Sequence, residues 1–229
     1  MFEYLKRALN DDPTPGSADK PSVEARARPR ADDDPKQRAR RRTSSGLRHF
    51  LDQLPRAEGL QILDLGGLTD SNAHFLSEMG SRIHAVDLLH SFDAQRSQTL
   101  HGRFDDFAAR QFVDEYLPFR AGTFDAILVW DVLHFLDVEL LNHIISRLAG
   151  IVRPEGAILC FFHNQPKGEE VPVCRYAIES ANVLRVTTRR QRLVPTTFSN
   201  RHLETLFRDF NSVQFFLSRD SLREVIAVR

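Results

Sequence analysis

Apolar residues along this chain fall into two patterns. Short mostly apolar runs at 61–65, 82–86, 124–130 and 157–162 read as strands, and the run Phe124-Asp125-Ala126-Ile127-Leu128-Val129-Trp130 is apolar enough for a central parallel strand. Between the runs, apolar positions recur at helical spacing. They predict a helix capped by Ser45 that carries Leu47, Phe50, Leu51 and Leu54, and a second over 71–79 stopped by Gly80. A third spans 138–148, with Leu140, Leu141, Ile144, Ile145 and Leu148 inward, and a fourth spans 200–210, with Leu203, Leu206, Phe207 and Phe210 buried. Residues 117–123 form a loop and 153–156 a turn. Residues 90–116 show no clear period, although Phe104, Phe107, Phe112 and Val113 need cover. Strands alternating with helices predict a mainly parallel sheet covered on both faces.

The end of the chain breaks the rhythm. Strands at 213–217 and 225–228 flank Ser218-Arg219-Asp220-Ser221. A parallel crossover takes about a dozen residues, so these two strands are antiparallel. The run 183–189 alternates enough to predict one extra strand.

Composition changes the picture mainly at the front. Residues 11–45 are nearly all Pro, Ser, Ala, Asp and Arg, too little apolar surface to offset ordering entropy. Hence 1–43 is expected to be a mostly disordered basic arm, with Phe2, Leu5 and Leu9 on one face of a short helix, and 44–229 the folded domain. The block Lys36-Gln37-Arg38-Ala39-Arg40-Arg41-Arg42 reads as a solvated linker or an electrostatic tether, blunted by Asp32, Asp33 and Asp34. The 229 residues carry 31 basic and 31 acidic side chains, so the whole molecule has no net preference for polyanions. Two cysteines, Cys160 and Cys174, lie in no metal-ligand spacing, which excludes a structural zinc or a disulfide framework. No run approaches the roughly 20 apolar residues of a membrane span, and no leader is evident, so the expected location is cytoplasmic.

The chemistry concentrates at Gln61-Ile62-Leu63-Asp64-Leu65-Gly66-Gly67 and at Asp87, which ends the second run. Glycines after a strand let the backbone approach a ligand, and an acid after the next strand can grip ribose hydroxyls. With Leu117-Pro118-Phe119-Arg120-Ala121-Gly122-Thr123-Phe124-Asp125, Trp130-Asp131-Val132-Leu133-His134-Phe135-Leu136 and Val152-Arg153-Pro154-Glu155-Gly156, the chain resembles the class I S-adenosylmethionine-dependent methyltransferases over about 45–229. The resemblance implies a Rossmann-like α/β sandwich: a mostly parallel seven-stranded sheet with a C-terminal antiparallel hairpin whose last strand inserts between strands five and six. It implies S-adenosyl-L-methionine as cofactor. Asp64 would orient its amino-acid end through the loop, Gly66 and Gly67 would admit it, and Asp87 would hold the ribose. Asp114 or Glu115 would meet the adenine, and Trp130 and Asp131 would lie near the sulfonium or substrate. The glycine-rich loop departs from the family pattern, with Leu68 and Asp70 at two glycine positions.

Candidate proton acceptors are Asp131, His134 and His163, which follow two strands at the ligand edge. Cys160 lies inside a strand and reads as an inert core thiol. Residues 164–200 fall where such enzymes carry a substrate cap, and hold Arg175, Tyr176, Arg185, Arg189, Arg190 and Arg192. Cap and arm make an anionic substrate or nucleic acid a candidate partner; the methyl acceptor, small or macromolecular, is unspecified. Two other classes stay open: a non-catalytic, cofactor-sensing scaffold on the same fold, and an NAD(P)-dependent oxidoreductase. Against the latter stand the missing GxGxxG and Asp70, which competes with a pyrophosphate for the helix N-terminus.

Overall fold

The computed structural model describes residues 39–99, 102–218 and 220–229, within the unit spanning 34–229. The arm up to residue 38, with its expected short helix, lies outside the described residues. Among the described residues, nine strands and six helices follow in order. They are β1 (Ala39–Thr43), α1 (Ser45–Gln53), β2 (Gln61–Asp64), α2 (Asp70–Glu78), β3 (Arg82–Ala85), α3 (Leu88–Arg96), α4 (Asp106–Tyr116), β4 (Phe124–Trp130), α5 (Val138–Ile151), β5 (Val152–His163), β6 (Glu170–Ser180), β7 (Val183–Leu193), α6 (Asn200–Leu206), β8 (Ser212–Leu217) and β9 (Leu222–Val228). A 3-10 turn, Val132–Phe135, links β4 to α5.

The main sheet has the order β3-β2-β4-β5-β9-β8. Its first four strands are parallel, whereas β9 runs antiparallel to both β5 and β8, with Phe215 opposite Val225. This is the Rossmann-like arrangement the resemblance implied, including the terminal hairpin and the insertion of the last strand. The strand count is corrected from seven to six. Among the described residues, the chain between β3 and β4 forms α3 and α4 and no strand. Every residue of β4 is buried, as its apolar run requires of a central parallel strand. Helices pack on both faces over two apolar clusters, one centred on Phe112, Phe135 and Phe162, the other on Phe50, Trp130 and Phe161.

Three local expectations change. The first helix is capped by Ser44, whose side chain accepts from the Leu47 N–H, one residue before the predicted cap. Phe107 is 68 % exposed, because α4 turns Phe112 and Val113 inward and leaves Phe107 on its outer face. The expected turn at 153–156 is continuous with β5, although Glu155 takes φ 64° and the register with β4 jumps there.

A second sheet, β1-β7-β6, is antiparallel throughout. The predicted strand at 183–189 is the core of β7. Neither its partner β6 nor β1 was expected. The end of the basic block is therefore a strand rather than linker: Arg42 pairs opposite Leu184, and its side chain is 5 % exposed. Buried, it forms ion pairs with Glu224 at 2.6 Å and Asp220 at 2.9 Å. Glu224 also accepts from Ser44 Oγ at 2.9 Å and from the Gly46 N–H. The buried charges of this segment are thus paired, and its backbone is laddered on β7. No helix among the described residues is long and apolar enough to cross a membrane.

Candidate functional site

The carboxyl ends of β2, β3 and β4 meet beneath β6 and β7, where open α/β sheets bind ligands. A cavity of about 380 Å³ lies there. Gly66, Gly67 and Asp87 line one side; Trp130, Asp131 and Tyr176 line another.

The loop after β2 is shaped by one carboxylate. Asp64 is fully buried, and its oxygens accept from the Trp130 Nε1–H at 2.9 Å, the Gly66 N–H at 2.9 Å and Asn72 Nδ2 at 3.2 Å. Burial pushes its pKa up, and those three hydrogen bonds oppose the shift. Asn72, which the sequence did not single out, also donates to the Tyr176 carbonyl at 3.1 Å and accepts from the Ile178 N–H at 2.8 Å. It therefore fastens the loop to β6. A Cβ on Gly66 would lie 2.3 Å from Trp130 Cδ1, so only glycine fits against the indole. Gly67 adopts φ 76°, and a Cβ there would lie 2.9 Å from Asp87 Oδ2.

Asp87 caps α3: its Oδ1 accepts from the His90 N–H at 3.1 Å. Its Oδ2 lies 3.8 Å from Arg189 Nη1. Trp130 holds φ 57°, a strained value for a bulky side chain. Its indole stacks on the Tyr176 ring, with centroids 5.3 Å apart and planes within 6°. That stack and the bond to Asp64 hold the strained residue in place.

Asp131 follows Trp130 and reaches the cavity, though only 2 % exposed. Its Oδ2 accepts from Tyr176 Oη at 3.1 Å and from the Cys174 N–H at 3.4 Å, and lies 3.7 Å from His163 Nε2. Burial, and then Asp131, raise the Tyr176 pKa well above its ordinary value. The same two causes push the Cys174 thiol up to about 12. Burial alone raises the Cys160 thiol, so neither cysteine is a thiolate near neutral pH.

The structure thus brings Gly66, Gly67, Asp87, Trp130 and Asp131 together around one cavity, with Asp64 and His163 directly behind them. Three predicted residues are not in that group. Asp114 and Glu115 sit exposed on α4, because the expected adenine-side segment is helical there. His134 is fully buried among Phe135, Phe162 and Phe198, and neither ring nitrogen has a hydrogen-bond partner among the described residues. Burial and the nearby His163 depress its pKa to about 3, so it is neutral at ordinary pH. Leu89, His90 and Cys174 also line the cavity. No local sequence signal marks them: they belong to a helix start and a strand whose placement the pattern did not predict.

Residues 63–160 match a family model described as "Methyltransferase domain". No curated protein matches the chain. Similar solved structures include the Burkholderia thailandensis 1,6-didemethyltoxoflavin-N1-methyltransferase, with bound 1,6-didemethyltoxoflavin and S-adenosylhomocysteine, at 15% identity over 81% of this chain and 79% of that one, TM-score 0.42. The PH0226 protein of Pyrococcus horikoshii OT3 is 13% identical over 80% and 87%, TM-score 0.46. The glycopeptide N-methyltransferase MtfA, complexed with S-adenosylmethionine, is 15% identical over 80% and 86%, TM-score 0.43. Likeness of this grade says nothing about acceptor or chemistry. The family match runs from within β2 through most of β5, and so covers the floor of the cavity; over residues 63–160 the chain is similar to the methyltransferase-domain family.

Proposed function

We propose that the cavity binds S-adenosyl-L-methionine and that the protein transfers its methyl group to an acceptor. The observation that carries this reading is the meeting of Gly67 and Asp87 at the carboxyl edge of β2 and β3, open to a cavity within the roughly 300–1,000 Å³ range of ligand sites. The residues fit the nucleoside half of the cofactor. Asp87 keeps Oδ2 on the cavity side while Oδ1 caps α3, so it can accept from ribose hydroxyls. Gly67 leaves the room that a side chain would fill. Asp64 is sealed behind Trp130 and would act on the cofactor's amino-acid end only by fixing the Gly66 backbone.

When bound, this cofactor supplies an already activated methyl group on a sulfonium. What the protein adds is alignment and exclusion of water. The stacked Trp130 and Tyr176 rings form a rigid wall for that purpose. Asp131 is the cavity carboxylate placed to receive a proton from the acceptor, with its Oδ2 held by Tyr176 and Cys174 and His163 behind it.

A second reading, a cofactor-sensing scaffold, is supported by the closure of the loop's first half: Trp130 and Asn72 occupy the Asp64 carboxylate completely. Calorimetry separates the readings. S-Adenosylhomocysteine should bind saturably and NAD should not. Absence of S-adenosylhomocysteine binding would overturn both readings, whereas binding without turnover on any acceptor would favour the scaffold.

A further inference from the structure

Two arginines of β7 reach the same cavity although they are neighbours in sequence. Successive side chains of a regular strand face opposite sides. Here β6 and β7 pair Val173 with Arg190 and Cys174 with Thr188, so Arg189 is an extra residue in a β-bulge. The bulge turns Arg189 and Arg190 toward one cavity, the kind of re-aiming that bulges perform beside functional sites.

The two guanidiniums are not equivalent. Arg190 is paired with Asp93, which Arg192 also contacts at 2.9 Å. Two cations share that carboxylate, and Arg192 lies over the Phe92 and Phe135 rings, so this end of β7 is anchored to α3. Arg189 is half-exposed, and its acidic neighbour among the described residues is Asp87, at 3.8 Å. That distance is an ion pair in loose contact, not a hydrogen bond. The partner is the carboxylate assigned above to the ribose.

On the methyl-transfer reading, Asp87 therefore has two claimants. We propose that Arg189 is a switch residue: it pairs with Asp87 in the free protein, and when the cofactor's ribose takes Asp87 it turns to a carboxylate or phosphate on the methyl acceptor. The acceptor is then an anion, and its binding and that of the cofactor strengthen each other, because each removes the competing partner of the other. The inference rests on the methyl-transfer reading and adds the acceptor's chemical class to it.

Calorimetric titration of S-adenosylhomocysteine into the full chain and its Arg189→Ala variant tests this. The variant should bind about two- to fivefold more tightly, the scale of one exposed ion pair. At constant ionic strength, replacing chloride by inorganic phosphate in one arm and by acetate in the other should tighten binding to the wild type and not to the variant. The more effective anion identifies the group. Arg189→Gln, which keeps much of the side chain's length, should repeat the result. Binding that is unchanged or weaker in both variants, or an anion effect that survives them, overturns the inference alone. Failure of all three proteins to bind overturns the methyl-transfer reading, and the inference with it.

Discussion

Apolar burial holds the strands of the main sheet and much of β6 and β7, whereas β1, at the outer edge of the second sheet, is tied in by charge. In the six-stranded sheet, β4 is buried along its whole length, and Val225, Ile226 and Ala227 at the centre of β9 are buried too. Hydrophobic transfer holds these strands, at roughly 25 cal/mol per Å² of apolar surface removed from water. In the three-stranded sheet, β1 is exposed except at Arg42, and a charged side chain ties it to the main sheet. Arg42 is the cation that Glu224 of β9 pairs with, and no other lies within reach of that carboxylate among the described residues. The cavity lies where the two regions join. Its floor comes from the first and its arginine wall from the second.

Breaking the first region should have the largest effect. Truncation after Leu217 removes β9 from between β5 and β8 and exposes both neighbours in the middle of the sheet. We predict no soluble folded product, checked by expression and sedimentation. A soluble 1–217 fragment that binds cofactor would show that the terminal strand is dispensable.

The second region should fail at one residue. Arg42→Ala leaves Glu224 buried without its cation and removes the guanidinium from over the Phe161 ring. The expected loss is about 3–5 kcal/mol in denaturant unfolding, the cost of orphaning a buried charge. A loss under about 1 kcal/mol, the size of a surface pair, would show that β1 is held by its backbone ladder instead.

How far each region could be read from sequence follows the same division. Apolar runs and helical spacing located β2, β3, β4, β5 and the terminal hairpin, because each pattern is local, and in β2, β4 and β9 the burial it implies is nearly complete. Asp87 and Gly67 could be found because a strand end and a turn constrain residue type. Arg42 could not. Its partner Glu224 is far away in sequence, and a run of arginines looks the same whether solvated or paired. Asn72 was hidden for a similar reason: its bonds to Asp64, Tyr176 and Ile178 cross from helix to strand. The bulge at Arg189 depends on the register between β6 and β7, and β6 itself was not predicted. The seventh strand was expected by analogy alone, and the residues between β3 and β4 do not supply it.

A smaller effect should separate His134 from the proton acceptors proposed beside it. Its pKa is depressed to about 3 in the folded protein by burial and by His163, against about 6.5 unfolded. The unfolded chain therefore binds a proton between those values that the folded one does not, so stability is lost as pH falls below about 6.5. Between pH 7 and pH 5 this histidine alone should cost about 2 kcal/mol of stability. His134→Leu should remove that part of the slope, measured as the difference between the two proteins' unfolding free energies. Parallel pH profiles would mean that His134 has a partner in solution.

For methyl transfer in this cavity, Asp87 must be a ligand-holding carboxylate and not only a helix cap. Asp87→Asn separates the roles, because asparagine caps helices about as well as aspartate but lacks the charge. Calorimetry with S-adenosylhomocysteine on the wild type and this variant, with melting temperatures recorded alongside, is the most direct test. The predicted result is an unchanged melting temperature with binding weaker by about 1.5–3 kcal/mol, the range for hydrogen bonds to a charged group. Equal affinity in the two proteins would contradict the proposal that this cavity holds the nucleoside through Asp87.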